Sequence, residues 1–262
     1  MGGRATPPLV APIGVFDSGV GGLSVLREIR RLLPRADLVY LADSAYCPYG
    51  GRRRDEIRER ARAISRFLVE QQHAQLIVVA CNTATVAAIE DLRQSFQEPI
   101  VGMEPGVKPA AAITRTGVVG VLATGVTLAG SRFARLVERY AEGVEIITQP
   151  CPGLVEQVEA GDLTSRDLVD TYVHRLTEER ADTLVLGCTH YPFLKPLIAQ
   201  AAGPHVELVD TGPAVARQVM RVLPDEPLPN AGTTRFFTTS ETACKMMQRL
   251  WGEPVDVTVT RV

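Results

Sequence analysis

The sequence predicts an α/β fold with two similar domains, each built on an open, mostly parallel sheet and related to the other by a pseudo-twofold axis. Short apolar runs alternate with amphipathic stretches, which is typical of buried parallel strands joined by helices. Several segments recur at nearly one offset along the chain, which indicates a duplicated unit. The 262 residues exceed one comfortable hydrophobic core and suit two domains of roughly 100 to 130 residues each.

The apolar runs predict the strands, and the spacing of apolar residues between them predicts helices. From Leu23 to Leu33 the apolar residues fall at helical intervals and Pro34 ends the pattern, which recurs from Ile57 to Leu68, so both stretches are predicted helices. Valines at 255, 257 and 259 alternate as they do in a strand. The other predicted strands run from Ile13 to Phe16, Leu38 to Ala42, Leu76 to Ala80, Val118 to Leu122, Glu145 to Thr148, Thr183 to Leu186 and Val206 to Val209.

The repeat divides the chain. IGVFDSG resembles VGVLATG, with Ser18 and Thr124 in matching places 106 positions apart. LIVVACNT resembles TLVLGCTH, with Cys81 and Cys188 matching 107 positions apart, and a weaker pair of segments begins at 104 and 210. These offsets predict a first domain of residues 1–106 plus 214–262 and a second domain of residues 107–213. We expect the tail after residue 213 to pack back on the first sheet.

Two cysteines stand where such folds carry chemistry. In open parallel sheets, functional groups collect at the carboxyl ends of strands, where Asp17, Cys81, Thr124 and Cys188 are predicted. A pseudo-twofold axis would place Cys81 and Cys188 on opposite walls of one cleft between the domains. That arrangement suits inversion of a stereocentre, in which one group removes a proton and another delivers one to the opposite face. A cysteine after an apolar strand is usually a small core residue, but matching positions in a repeat favour function.

Neighbouring side chains would have to set the protonation of these thiols, because free cysteine titrates near pH 8.5. His190 follows Cys188 by two residues, and Asp17 is expected on the strand beside Cys81. Glu159 could orient His190, or it could be an exposed helix charge. Polar groups and turn residues near the strand ends are candidate contacts for a ligand with a carboxylate and an amine; they are Ser18, Pro48, Tyr49, Gly50, Asn82, Thr83, Thr85, Thr124 and Thr189.

Other candidate features have structural interpretations. Cys47, Cys151 and Cys244 lack the context of the paired thiols and are interpreted as core residues, and Thr127 as a helix cap. The glycines after Asp17 fit neither a dinucleotide fingerprint nor a Walker loop, so they indicate a tight turn. No motif for pyridoxal phosphate or for a metal is apparent, and we expect no cofactor.

Composition indicates which partners the protein is expected to bind and in which compartment it is expected to lie. A net charge of -2 gives no basic excess, so nucleic acid is not expected as a partner. The arginines between 52 and 62 alternate with acidic residues, which predicts a solvated helix face. There is no apolar stretch of membrane-spanning length and no apolar signal core. Five cysteines without short paired spacing fit a reducing compartment, so we expect a cytoplasmic protein with free thiols.

Five segments together resemble a known family. They are GVFDSGVGG from residue 14, PYG from 48, ACNTAT from 80, CPGLVEQVEAG from 151 and LGCTHYP from 186. With them the chain resembles the glutamate racemases of the cofactor-independent aspartate/glutamate racemase family. The resemblance implies a two-domain enzyme that interconverts L- and D-glutamate and supplies the D-isomer to peptidoglycan. It also implies that Cys81 and Cys188 are paired acid/base thiols, assisted by Asp17 and His190 respectively.

The resemblance extends to further residues and to partners. It implies an assisting role for Glu159, although Glu156 lies nearby, and it is weaker around Thr124 because Ala123 stands where glycine is frequent. A homodimer is implied, and some members of the family are reported to bind DNA gyrase. An aspartate racemase, or a thiol hydrolase with Cys188 as nucleophile and His190 as base, remain alternatives. The substrate-binding positions implied are Asp17, Ser18, Tyr49, Gly50, Asn82, Thr83, Thr189 and His190.

Overall fold

The first sheet contains both ends of the described chain. The computed structural model describes residues 11–223 and 231–262. Six strands form this sheet in the order β10-β9-β2-β1-β3-β4, and every pairing is parallel. Its strands are β1 (Ile13–Asp17), β2 (Leu38–Ala42), β3 (Leu76–Val79), β4 (Ile100–Gly102), β9 (Thr234–Thr238) and β10 (Val257–Val259), and its helices are α1 (Leu23–Leu32), α2 (Arg54–Arg66), α3 (Asn82–Ser95) and α11 (Cys244–Trp251).

The second sheet repeats the central part of the first. Its four parallel strands lie in the order β6-β5-β7-β8, which is the same pattern as β2-β1-β3-β4. The strands are β5 (Val118–Ala123), β6 (Glu145–Pro150), β7 (Thr183–Leu186) and β8 (Glu207–Asp210). The helices of this part are α4 (Val107–Ile113), α5 (Gly125–Leu128), α6 (Ser131–Tyr140), α7 (Leu154–Glu159), α8 (Asp167–Glu178) and α9 (Lys195–Ala202), whereas α10 (Gly212–Val222) packs on α1 of the first part. The predicted α/β fold with two mostly parallel sheets is confirmed.

Helices cover both faces of the first sheet. Val15 lies in one buried cluster with the apolar stripe of α1, whereas the next residue, Phe16, packs with residues of α2 and α3. Successive side chains of a strand point to opposite faces, so α1 and the pair α2 and α3 lie on opposite sides. Each fully buried leucine or isoleucine in these layers contributes about 1.5–3 kcal/mol to the free energy of folding. This packing holds in place the strands whose carboxyl ends carry the candidate site.

The fold adds two strands that the sequence pattern did not predict. β4 has only three residues and β9 has the mixed sequence TRFFT, so neither shows a clean apolar run. β9 pairs with β2 from Leu38 opposite Thr234 onward, which joins the end of the chain to the first sheet. None of the helices in the described residues is long and apolar enough to cross a membrane.

Candidate active site

The two thiols follow corresponding strands of the two sheets. Cys81 comes after β3 and caps α3, where its Sγ accepts a hydrogen bond from the backbone N–H of Ala84 at 3.4 Å. Cys188 comes after β7, the matching strand of the second sheet, and its Sγ lies 3.7 Å from Nδ1 of His190. Their exposed fractions are 4% and 8%. Charge on Cys188 is one cause of the raised pKa of Cys81, so the two thiols lie within electrostatic reach of each other.

Asp17 is held by both halves of the molecule beside Cys81. Its Oδ2 accepts hydrogen bonds from the backbone N–H of Gly22 at 2.6 Å and from the Thr189 hydroxyl at 3.0 Å. Burial raises the pKa of Asp17, although the charge of His190 opposes the shift. Burial and the nearby Asp17 charge together raise the pKa of Cys81 well above its ordinary value. Both effects favour the neutral thiol form of Cys81.

His190 and Glu159 form a buried pair beside Cys188. Nε2 of His190 lies 2.7 Å from Oε1 of Glu159, which also accepts a hydrogen bond from the backbone N–H of Val20 at 2.8 Å. Burial alone would lower the pKa of His190, but hydrogen bonds to Cys188, Cys47 and Glu159 raise it well above its ordinary value. The pKa of Glu159 is lowered: burial opposes the shift, but the hydrogen bond to His190 prevails. These hydrogen bonds favour the imidazolium form of His190 next to Cys188, and its carboxylate partner is Glu159 rather than Glu156.

A cavity opens between the two halves at the edge of this region. It has a volume of about 330 Å³ and is lined by Pro48 and Gly50 on one side and by Thr124 and Glu156 on the other. Beside it, three threonine hydroxyls meet: Oγ1 of Thr124 lies 2.9 Å from that of Thr83 and 3.0 Å from that of Thr127. The predicted contacts Pro48, Gly50, Thr83 and Thr124 therefore come together. Tyr49 is buried, and its hydroxyl donates a hydrogen bond to Asp43 at 2.5 Å.

Two predicted ligand contacts behave differently. Asn82 is 2% exposed, and neither polar atom of its side chain has a hydrogen-bond partner among the described residues. Buried polar groups rarely remain unpaired, so this amide is available to a bound ligand. The hydroxyl of Thr85, in contrast, donates to the carbonyl of Val79 at 3.4 Å and accepts from the N–H of Met103 at 3.2 Å. Thr85 therefore holds the backbone at the ends of β3 and β4, and its predicted contact with a ligand stays a prediction.

Sequence reasoning missed three features of this region. Thr124, not Thr127, caps α5, because its Oγ1 accepts from the Thr127 N–H at 3.3 Å; the interpretation of Thr127 as the cap was wrong. Cys47 was interpreted as a core residue, yet its Sγ lies within 4.8 Å of a Glu159 oxygen and a His190 ring nitrogen. Its place immediately before Pro48 was the available signal.

Asp43 and Arg60 form the third feature that the sequence did not predict. The fully buried carboxylate of Asp43 accepts from Nε of Arg60 at 2.9 Å, from its Nη2 at 2.8 Å and from the Thr239 hydroxyl at 3.0 Å. Arg53, Arg54 and Arg62 are exposed, as expected for a solvated face, but the Arg60 side chain is only 11% exposed. This ion pair fixes Tyr49 and with it the turn that lines the cavity.

Similarity to known proteins identifies the class of enzyme that has this fold and these paired thiols. The family model for Asp/Glu/hydantoin racemases matches residues 13–219. The chain belongs to the Asp/Glu/hydantoin racemase family. Among its relatives, the glutamate racemase of Herpetosiphon aurantiacus is 57% identical over 227 residues, which is 86% of this chain and 89% of the relative. That of Pseudomonas putida is 55% identical over 256 residues, 94% and 96% of the two chains.

A solved structure agrees with this assignment. Glutamate racemase from Escherichia coli, crystallised with L-glutamate and the activator UDP-MurNAc-ala, matches with a TM-score of 0.85 and 34% identity. The match covers 95% of this chain and 99% of that one. The similarity therefore extends over both sheets and the region between them.

Proposed function

We propose that the protein interconverts L-glutamate and D-glutamate without a cofactor, with Cys81 and Cys188 as the two acid/base groups. The observation that carries the proposal is the pair of buried thiols, which follow matching strands and have separate partners in Asp17 and His190. The substrate follows from the relatives, whose names are those of glutamate racemases over most of the chain. Family membership further implies that the D-glutamate supplies peptidoglycan.

The reaction needs one thiolate and one thiol on opposite faces of the substrate. The thiolate takes the α-proton, the electron pair remains on the carbon, and the thiol delivers its proton to the other face. The α-proton is weakly acidic, so donors must stabilise the growing charge on the α-carboxylate. The Asn82 amide, the Ser18 hydroxyl and the threonine hydroxyls are proposed for this role. Burial of both thiols excludes water and strengthens these interactions.

One turnover leaves the two thiols with exchanged protonation states. A proton must then leave one thiol and reach the other before the same enantiomer reacts again. Asp17 beside Cys81 and the His190–Glu159 pair beside Cys188 are proposed to transfer these protons. Asp17 lies within hydrogen-bonding distance of Cys81, and His190 within that distance of Cys188. The pKa values of Asp17 and His190 are both shifted from their ordinary values. Perturbed groups of this kind are typical of acid/base sites.

Deuterium exchange tests the proposal directly. L-glutamate is incubated with the protein in deuterated water, with no added cofactor, while the α-proton signal and the optical rotation are followed together. We expect the α-proton signal and the rotation to be lost together. Absence of exchange would refute the proposal.

Two rivals are separated by simple assays. A thiol hydrolase using Cys188 and His190 would keep its activity in Cys81→Ser, whereas a racemase would lose turnover. An aspartate racemase would turn over aspartate enantiomers faster than glutamate enantiomers. Comparison of kcat/KM for both enantiomers of both acids therefore decides the substrate.

The assembly and location of the protein are also proposals. We propose the domain division at residues 106 and 213, which the two separate sheets support. We propose a homodimer and a cytoplasmic location, both on the resemblance of the sequence, and light scattering would measure the mass in solution. Binding of DNA gyrase remains a prediction from that resemblance.

A further inference from the structure

Three side chains with different ligand atoms converge beside the proposed active site. Cys47 comes from the turn after β2, Glu159 from the end of α7, and His190 from the segment after β7. The thiol sulfur, one carboxylate oxygen and one ring nitrogen all lie within 4.8 Å of one another. No role in the proposed reaction has been given to Cys47, so this cluster has a member that the function does not explain.

We propose that Cys47, Glu159 and His190 form a binding site for a thiophilic divalent cation such as Zn²⁺, and that an ion bound there inhibits the enzyme. Thiolate, imidazole and carboxylate are the ligands that zinc takes in proteins, at about 2.0–2.3 Å. Three protein ligands leave a fourth tetrahedral position for water. Small movements of the three side chains would close the cluster around an ion.

The surroundings allow such closure. Gly19 lies directly against the cluster: a Cβ at this position would come within 2.0 Å of Glu159 Oε1 and 2.8 Å of Cys47 Sγ. The absence of a side chain there lets the carboxylate and the thiol approach each other. His190 is buried, but Cys47 and Glu159 are both partly exposed, so an ion can reach the site from their side.

Binding of the ion would change which protons His190 and Cys47 hold next to Cys188. Nε2 of His190 now meets Glu159 at 2.7 Å, and a metal at this nitrogen replaces the proton. The Cys47 thiol also loses its proton, so both protons pass to solvent. His190 then holds its remaining proton on Nδ1 and can no longer exchange protons with Cys188 as the imidazolium does. Inhibition rests on the proposed racemase function, whereas the binding of the ion does not.

The binding experiment removes the other reactive thiols first. In the full-length Cys81→Ser/Cys188→Ser variant, Zn²⁺ is titrated against a chromophoric chelator, and we expect one equivalent to bind. Adding Cys47→Ser should weaken binding by at least roughly 10–100-fold, because a ligand is lost. Adding Cys244→Ser instead is the matched control, since Cys244 is also a partly exposed free thiol but lies outside the cluster. Equal binding with and without Cys47 would overturn the proposal.

Two further measurements guard against a merely misfolded variant. Co²⁺ in place of Zn²⁺ should give a thiolate-to-cobalt charge-transfer band that Cys47→Ser abolishes and Glu159→Gln keeps at a reduced Co²⁺ affinity. A band that survives in Cys47→Ser would contradict the assignment. Zn²⁺ should also inhibit the wild-type racemase reversibly, with recovery on chelation and weaker inhibition in Cys47→Ser. If Zn²⁺ binds as predicted but wild-type racemisation is unaffected, the inhibitory part of the proposal is wrong while the site stands.

Discussion

At the scale of single residues, the two thiols differ in their titratable neighbours. Cys81 lies beside the buried carboxylate of Asp17, and both burial and that charge raise its pKa. Cys188 lies 3.7 Å from an imidazole, and hydrogen bonds raise the pKa of that imidazole well above its ordinary value. The matching thiols of the two halves therefore have different acid/base partners, which suits a reaction with one acid and one base.

The His190–Glu159 pair predicts a pH dependence. Glu159→Gln removes a hydrogen bond that raises the pKa of His190, so this pKa falls. Activity that needs the imidazolium is present below the pKa of His190 and lost as pH rises through it. The high-pH limb of kcat/KM should therefore move to lower pH in Glu159→Gln. Above the new pKa, each unit by which it falls lowers the protonated fraction about tenfold.

A neighbouring carboxylate supplies the control for this pH profile. Glu156 lies on the same helix but is not a hydrogen-bond partner of His190 in the described contacts. Glu156→Gln should leave the high-pH limb where the wild type has it. A limb that moves equally in both variants would mean that Glu159 has no specific effect on His190.

The sequence predicted the thiols but not all of their neighbours. Cys81 and Cys188 could be found because a repeat put them in matching places. Cys47 and Asp43 lie outside the segments by which the repeat was found, and their partners are brought to them only by the tertiary fold. Thr127 was missed because a threonine near a helix start is equally compatible with capping, and only the position of Thr124 decides between the two.

At the scale of elements, the Asp43–Arg60 ion pair connects α2 to the turn that lines the cavity with Pro48 and Gly50. Asp43 precedes that turn, Arg60 lies on α2, and Thr239 follows β9. A buried carboxylate that loses its cationic partner typically costs 3–5 kcal/mol. The pair therefore stabilises the position of Tyr49 as well as the packing of α2 on the sheet.

Arg60→Ala should lower the free energy of unfolding by about 3–5 kcal/mol, because it leaves the Asp43 carboxylate buried without its guanidinium. Urea denaturation measures the change. Arg54→Ala, at an exposed position on the same helix, should stay within about 0.5 kcal/mol of the wild type. A loss of similar size in both variants would show that the Asp43 contact is not the cause.

The sequence predicted the strands that show a clean apolar run or a regular alternation, whereas β4 and β9 show neither. β2 and β7 have the predicted bounds, and α1 ends just before Pro34. β4 was not predicted because its three residues are too few to show a period in hydrophobicity. β9 was not predicted because its apolar and polar residues do not alternate regularly. Both strands are specified by their pairing partners, β3 and β2, which no local pattern can reveal.

At the scale of the whole molecule, the two halves meet through contacts that involve the site itself. The Ser24 hydroxyl donates to the carbonyl of Thr189 at 2.9 Å, and the N–H of Val20 donates to Glu159 at 2.8 Å. Thr189 also reaches Asp17. Any separation of the halves would break these contacts, so opening of the cleft and assembly of the site are coupled.

This closed arrangement predicts the order in which cysteines react. Cys81 is 4% exposed and its pKa is raised, so little thiolate is accessible to a reagent. Iodoacetamide should therefore modify Cys81 more slowly than the partly exposed Cys244, and bound glutamate should slow it further. Mass spectrometry of timed samples follows both sites, and faster modification of Cys81 would contradict a closed resting site.

The central claim is that Cys81 and Cys188 act on opposite faces of one carbon. Solvent deuterium exchange into each glutamate enantiomer, measured separately for Cys81→Ser and Cys188→Ser, tests it most directly. We predict that net racemisation falls by about 10²–10⁴-fold in both variants, while each variant retains exchange of one enantiomer, and that the two variants retain opposite enantiomers. Exchange of the same enantiomer by both variants, or full racemisation by either, would contradict the account.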